Sequence, residues 1–254
     1  MKHAKLSASS SHRWLVCPGS VAANSSKKRE SSIHALEGTS AHALLEVCLR
    51  TGADPEDFYG VVLGKDVDGT PLMPVDEGMI DGVGYALDYV QAYVANNPKT
   101  RVLIEHTVKY GESIGCDDDE AFGTSDIILD NYPVEVVSLD YKHGIGITVA
   151  VKDNSQLLLY LTGMRQQRGR YQRYRKVVVQ PRLPKRKPVQ EAPAMTDKQV
   201  DAWLKKTVIP VVPVALGKNA PRVAGSHCRY CGADGNCVAQ YELVMKAAQE
   251  EFKQ

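Results

Sequence analysis

Five long stretches of the chain read as helices and four shorter ones alternate at strand spacing. From Asp76 to Asn97, Met79, Val83, Ala86, Leu87, Val90, Tyr93 and Val94 share one helical face. Pro98 ends that run. Ile33 to Leu49 reads as a helix with Ala41, Leu44, Leu45 and Cys48 as its buried stripe. Gly38-Thr39 marks a break or entry in it, and Thr39 or Ser40 can cap the second part. A third helix is expected over Asp153–Arg168, capped by Asp153 or Asn154. A fourth starts at Thr196 and is interrupted by Pro210 and Pro213, and Ala239–Phe252 closes the chain. Strands are expected over Arg101–Tyr110, over two runs after Phe122 that turn at Asp130-Asn131, and over Tyr174–Gln180. The serine-rich start offers caps for a short helix over residues 11–16, and Thr51–Pro74 and Gly111–Glu120 read as loops. The fold class is α/β (α+β): a central mixed β-sheet flanked by helices.

Composition narrows the class only modestly. A chain of 254 residues with 43% apolar and 24% charged residues suits one large domain or a domain with a small module. A net charge of +1 carries no global message about nucleic acid. Neither a bilayer-spanning apolar run of about 20 residues nor a secretory leader is read, so a cytoplasmic setting without membrane contact is expected. Six cysteines in such a setting point to thiols or metal ligands rather than disulfides.

The chemistry gathers between Phe122 and Tyr160. Two strand-like runs deliver Asp126 and Asp140, and Lys142 follows two positions on, so Asp140 and Lys142 share a strand face while Tyr141 turns away. Two carboxylates and an ammonium at one spot can hold a divalent cation against a phosphodiester. Glu105 sits among apolar neighbours in the preceding strand. His42 and Glu46 share a helix face, for which a surface pair is the plainer reading. The acidic run Asp117–Glu120 is read as solvated.

Two further features lie outside that stretch. No acidic residue occurs between Asp153 and Glu191, while Arg165, Arg168, Arg170, Arg173, Arg175, Lys176, Arg182, Lys185, Arg186 and Lys187 do. With Tyr171 and Tyr174 interleaved, this interval reads as a DNA or RNA contact, the alternative being a solvated basic loop. Near the end, Cys228, Cys231 and Cys237 follow C-x2-C-x5-C, a spacing that wraps a metal. Cys17, beside Trp14, is the best fourth ligand, which would tie the first residues to the last. Cys48 reads as a core thiol and Cys116 has no partner in sight. A clustered trio plus one remote cysteine suits a 4Fe-4S cluster better than zinc, which usually takes two short-spaced ligand couples. His227 keeps zinc open as an alternative.

Taken in order, Gly123-Thr124-Ser125-Asp126, Asp140-Tyr141-Lys142-His143-Gly144 and Gln156-x-x-x-Tyr160 resemble the successive motifs of the PD-(D/E)xK nucleases. More narrowly, with Gly38-Thr39-Ser40-Ala41-His42 and the outlying cysteines, they resemble the RecB-like, AddB-like iron–sulfur exonuclease branch and a phage-encoded RecB-like group. The resemblance runs from residue 12 to 237. It implies one nuclease domain over 1–254 with a restriction-endonuclease-like core. Within it, 12–50 would form N-terminal helices carrying Cys17 and His42, 101–180 the catalytic core, and 225–254 an iron–sulfur cysteine tail.

It also implies roles. Asp126, Asp140 and His42 would bind Mg2+ or Mn2+, with Glu105 in support. Lys142 would position the attacking water, and Gln156 and Tyr160 would orient DNA or the lysine. Cys17, Cys228, Cys231 and Cys237 would hold a 4Fe-4S cluster. Ser125 stands where the superfamily pattern has proline, as is usual in this branch, and Asp140 replaces the longer glutamate. The implied activity is metal-dependent DNA hydrolysis, exonucleolytic in kind, in phage recombination or replication. DNA and a phage single-strand-binding or annealing protein would be the partners, and the host cytoplasm the location. The competing reading is a non-catalytic, zinc-containing nucleic-acid-binding protein.

Overall fold

A computed structural model describes residues 4–25 and 32–251. Short helices α1 (Ser11–Trp14) and α2 (Ser20–Ala23) precede the long helices α3 (Ile33–Thr51) and α4 (Glu77–Asn96). Then come β1 (Arg101–Lys109), the one-turn α5 (Gly111–Ile114), β2 (Phe122–Asn131), β3 (Glu135–Tyr141), α6 (Ser155–Arg168), β4 (Arg173–Val179) and β5 (Val189–Glu191). The chain ends with α7 (Asp197–Trp203), a π-helical stretch over Leu204–Val208, α8 (Val212–Ala215) and α9 (Val238–Glu251). Phe252, expected to close the last helix, lies outside the described residues.

The five strands form one mixed sheet in sequential order. β1–β2, β2–β3 and β4–β5 are antiparallel, while β3 and β4 run parallel, joined by α6 as the crossover that parallel pairing requires. Side chains alternate cleanly between the faces. Ile127, Leu129, Val137, Leu139, Tyr141, Val177 and Val179 pack against α3 and α4. Ile128, Val136, Tyr174 and Val178 pack against Leu157, Leu158 and Leu161 of α6, with Trp14 and the 200–215 segment closing that side. The expected α/β class and mixed sheet are therefore what the chain forms.

Local expectations fail in instructive places. α3 is unbroken, because Thr39 and Ser40 turn their hydroxyls back to Ala35 O and Leu36 O at 2.9 and 2.8 Å instead of capping. The cap is Ser32, which accepts from Ala35 N at 3.2 Å. α1 has no serine cap, since Ser10 Oγ bonds Ser7 Oγ at 2.7 Å. The turn between β2 and β3 opens on Asn131, whose carbonyl accepts from Val134 N at 2.8 Å, and runs through residues 132–134 rather than centring on Asp130-Asn131. β5 was not expected: three residues are too short to show a period.

α6 lies unusually close to β1. A Cβ on Gly163 would meet Val108 Cγ1 at 2.2 Å and Lys109 O at 2.7 Å. That close approach sets the depth at which the first turn of α6 meets the ends of β2 and β3.

Candidate active site

The strand register builds the centre of the site. Glu105 lies between the paired rows Ile104–Ile127 and His106–Ser125, so it faces Asp126. Asp126 lies one step beyond the last β2–β3 pair, Ile127–Leu139, so continuing the register sets it across from Asp140. Directly opposed residues share a sheet face, and three carboxylates therefore stand in one row across three strands. At this point the strands part. Glu105 takes a left-handed backbone (φ 47°), and the Tyr141 amide donates to Asp126 Oδ2 at 2.8 Å in place of a ladder bond. A glutamate held at positive φ is a local strain of about 1–3 kcal/mol, of the kind that gathers at functional sites.

His42 reaches this gap from α3, its Nδ1 3.8 Å from Asp126 Oδ2 and its ring edge-on to Tyr141. Glu46 is not its partner but bonds Arg50 at 2.8 Å. Among the described residues, ligand atoms of His42, Glu105 and Asp126 all fall within 4.8 Å of one another. Desolvation, then the charges of Asp126 and Glu46, push the Glu105 carboxyl up to about 7. Crowded, partly desolvated anions raise one another's proton affinity and need a cation.

Asp140 is almost fully buried. Its Oδ1 accepts from Lys142 Nζ at 2.9 Å and from Gln156 Nε2 at 3.0 Å, while Oδ2 is buried with no hydrogen-bond partner. Burial raises its pKa against the pull of Lys142, and Asp126 adds to the rise. Burial works against the Lys142 ammonium, yet Asp140 and Asp126 together hold its pKa above the ordinary lysine value. Burial, then the charges of Asp126 and Asp140, push the Tyr160 hydroxyl up, with Gln156 pulling the other way. Tyr160 is buried one turn further along α6, where its ring lies over Gly123, at which a Cβ would sit 3.0 Å from Tyr160 Cε1. An orphaned carboxylate oxygen beside a crowded acidic row fits a hard divalent ion, and the imidazole suits Mn2+. His42, Glu105, Asp126 and Asp140 are the residues that would hold it.

Sequence reasoning did not single out the brace behind the site. Tyr141 Oη and His143 Nδ1 lie 2.9 Å apart, and Arg182 lies 2.7 Å from His143 Nε2 while pairing with Glu37 on α3. The alternation Asp140/Lys142 against Tyr141/His143 was the available signal, since the second pair points to the α3 side.

The basic interval looks different in three dimensions. Arg165 pairs with Asp197 and Asp201 at 2.8 and 2.6 Å, Arg168 with Asp130 at 3.2 Å, and Arg170 with Asp197 at 3.1 Å. Arg173 and Arg175 both reach Glu135, at 3.1 and 3.0 Å, and Arg175 also reaches Glu191. Lys176 is buried, which lowers its pKa. Tyr171 and Tyr174 are buried as well. The expectation that these cations lack counter-charges is corrected: the carboxylates come from remote parts of the chain.

Cys17, Cys228, Cys231 and Cys237 line one small hollow together with Arg222 and His227. No three of these thiols converge within the 4.8 Å that the His42 set achieves. Val223 N donates to Cys17 Sγ at 3.3 Å and Asn24 Nδ2 to Cys231 Sγ at 3.4 Å. At Cys237 burial opposes ionisation, but the Gln240 and Ala239 amides and Arg222 outweigh it and lower the pKa. The two ends of the chain are clasped there independently of any metal. Arg13 Nη1 donates to Tyr230 O at 2.6 Å, and Gly232 N to Asn24 Oδ1 at 2.7 Å. Cys48 is buried on the inner face of α3, and Cys116 packs beside the α6-side core.

A family model matches residues 3–254. The chain belongs to the family described as Protein of unknown function (DUF2800). The DUF2800 chain is also similar in path to two solved structures. One is a Eubacterium rectale protein described as a candidate exonuclease, at 14% identity and a TM-score of 0.49, covering 92% of this chain and 88% of that one. The other is an alkaline exonuclease from Laribacter hongkongensis, at 14% identity and a TM-score of 0.33, covering 71% and 88%. Neither likeness is close enough to carry chemistry to this DUF2800 member. Among its described residues no helix is long and apolar enough to cross a membrane.

Proposed function

We propose that this protein is a metal-dependent DNA nuclease, exonucleolytic in kind, of the RecB-like branch of the PD-(D/E)xK superfamily. The observation that carries the reading is the convergence of Glu105, Asp126 and Asp140 in one row with His42, Lys142 and Gln156 around it. A divalent ion bound there would supply positive charge to a phosphoryl oxygen and make a bound water more acidic. Lys142, fixed by Asp140 at 2.9 Å, offers an ammonium aimed at the same place, where charge grows on the phosphorus oxygens as water adds and the ester oxygen leaves. Gln156 holds Asp140 from the helix side, so the carboxylate and the lysine keep one geometry.

A 4Fe-4S cluster held by Cys17, Cys228, Cys231 and Cys237 is part of the same proposal. Support comes from the shared hollow and from N–H donors on the sulfurs of Cys17 and Cys231. The setting, end processing in phage recombination or replication beside a single-strand-binding or annealing protein, rests on the sequence resemblance.

The test is digestion of end-labelled DNA with Mn2+, Mg2+ or chelator, using wild type, Asp126→Ala and Lys142→Ala. Cleavage only with metal, and in neither variant, is the expected result. Equal cleavage by both variants would remove the site assignment. Brown protein containing iron supports the cluster; colourless protein with one zinc per chain rejects it and favours the non-catalytic binding alternative.

A further inference from the structure

With the arginines at 165, 168, 170, 173, 175 and 182 tied to carboxylates and Lys176 buried, the basic interval leaves three cations without a carboxylate partner among the described residues: Lys185, Arg186 and Lys187. They sit together at the tip of the β4–β5 hairpin between Pro184 and Pro188, all exposed. Lys185 takes a left-handed backbone (φ 64°), and the contact made by Arg186 is to Gln190, at 3.5 Å. These three side chains line one edge of an open groove of about 860 Å3. The opposite edge is α4, which presents Tyr85, 44% exposed, with Tyr89 behind it. Glu191 also lines the groove, but Arg175 neutralises it at 2.9 Å, leaving Asp88 as the lining acid with no basic partner among the described residues.

We infer that the groove between α4 and the β4–β5 hairpin is a binding track for an unpaired nucleic-acid strand, with Tyr85 stacking on a base and Lys185, Arg186 and Lys187 meeting phosphates. Three adjacent positive charges attract a polyanion, and an exposed aromatic ring offers a face that any unpaired base can use. A duplex hides its base faces, so the ring favours single strands. The groove is tied to the proposed active site through the chain at two points. Val151, in the segment that follows Lys142, lines it, and Arg182, at the root of the same hairpin, is anchored to His143 and Glu37. The inference deepens the nuclease reading and rests on it for the identity of the strand as DNA.

The experiment is fluorescence anisotropy of a labelled oligo-dT and of a duplex of equal length, in EDTA so that nothing is cut, with melting curves to confirm folding. Tyr85→Ala and the double variant Lys185→Ala/Lys187→Ala should each weaken oligo-dT binding by about tenfold, as the loss of one stacked base or two phosphate contacts predicts. Tyr85→Phe should bind like wild type, because it keeps the ring. The double lysine variant should also flatten the salt dependence by about 1.4 in log–log slope, two contacts at about 0.7 each. Arg170→Ala, an exposed cation already paired with Asp197, should leave binding unchanged. Groove variants that bind like wild type, or a wild type that ignores oligo-dT, would overturn the track. Equal loss on duplex would overturn its preference for unpaired strands. Failure of the nuclease reading shows separately, as strand binding without metal-dependent cleavage.

Discussion

Gln156 donates from Nε2 to Oδ1 of Asp140 at 3.0 Å, joining the first turn of α6 to the last residues of β3. Lys142 occupies the same oxygen at 2.9 Å, so both donors crowd one side of the carboxylate and the buried Oδ2 is left bare.

A bare buried oxygen costs stability when no cation is present. Asp140→Asn relieves that cost but also takes away the partner of the Lys142 ammonium, so it should melt close to the wild-type temperature in EDTA while losing metal-dependent DNA cleavage. Gln156→Ala should lose about 1 kcal/mol, the ordinary worth of a hydrogen bond to a buried group. Melting curves with and without chelator check both. An Asp140→Asn protein several kcal/mol less stable in EDTA would mean that the carboxylate is structural.

His42 brings the one nitrogen to an oxygen-rich set. His42→Ala should weaken Mn2+ binding by tenfold or more and Mg2+ binding by less, because imidazole favours the softer ion. Calorimetric titration of the two ions measures the split directly. In wild type, Mn2+ at a hundred times Kd should stabilise the fold by about 2.7 kcal/mol, reversed by chelator.

Glu135 gives the acid limb of stability. Burial would raise its pKa, but Arg175, Tyr93 and Arg173 all donate to it and hold it below the usual 4.5. The ionised form is thus favoured in the folded state, and its stabilisation is present above pH 4.5 and lost as pH falls through the depressed value. Glu135→Gln should cost about 2–3 kcal/mol near pH 7 and less at a pH below the depressed value. Urea titrations at the two pH values read the difference, and an equal cost at both would refute the ionic account.

Gly163→Ala pits helix propensity against packing. Alanine gains about 1 kcal/mol in a helix interior. Its methyl, however, meets Val108 Cγ1 at 2.2 Å and the Lys109 carbonyl at 2.7 Å, and backbone yields little. The substitution should destabilise by about 2–3 kcal/mol net. It should also lower DNA cleavage more than a surface control of equal stability, since α6 carries Gln156 and Tyr160 into the site.

The sequence by itself determined what depends on near neighbours along the chain. Helical and strand periods placed α3, α4, α6 and four of the five strands. The two-residue period put Asp140 and Lys142 on one face, and the one-turn spacing put Gln156 and Tyr160 on another. These follow from backbone geometry that any sequence of that pattern obeys. Caps and turns were less legible: Thr39 and Ser40 have two bonding choices, and only the docking of α3 along its whole length selects the back-bonded one.

Tertiary structure alone decided how remote segments share charge and space. The register of β1, β2 and β3 turned three separate acids into a row, and the parting of the strands let His42 enter from the opposite layer. The same folding brought Asp130, Glu135, Asp197 and Asp201 to arginines that look unpaired in sequence, and so, among the described residues of the basic interval, moved the positive charge without a carboxylate partner to Lys185, Arg186 and Lys187. Coulomb energy depends on distance in space and on burial, neither of which is written in sequence separation.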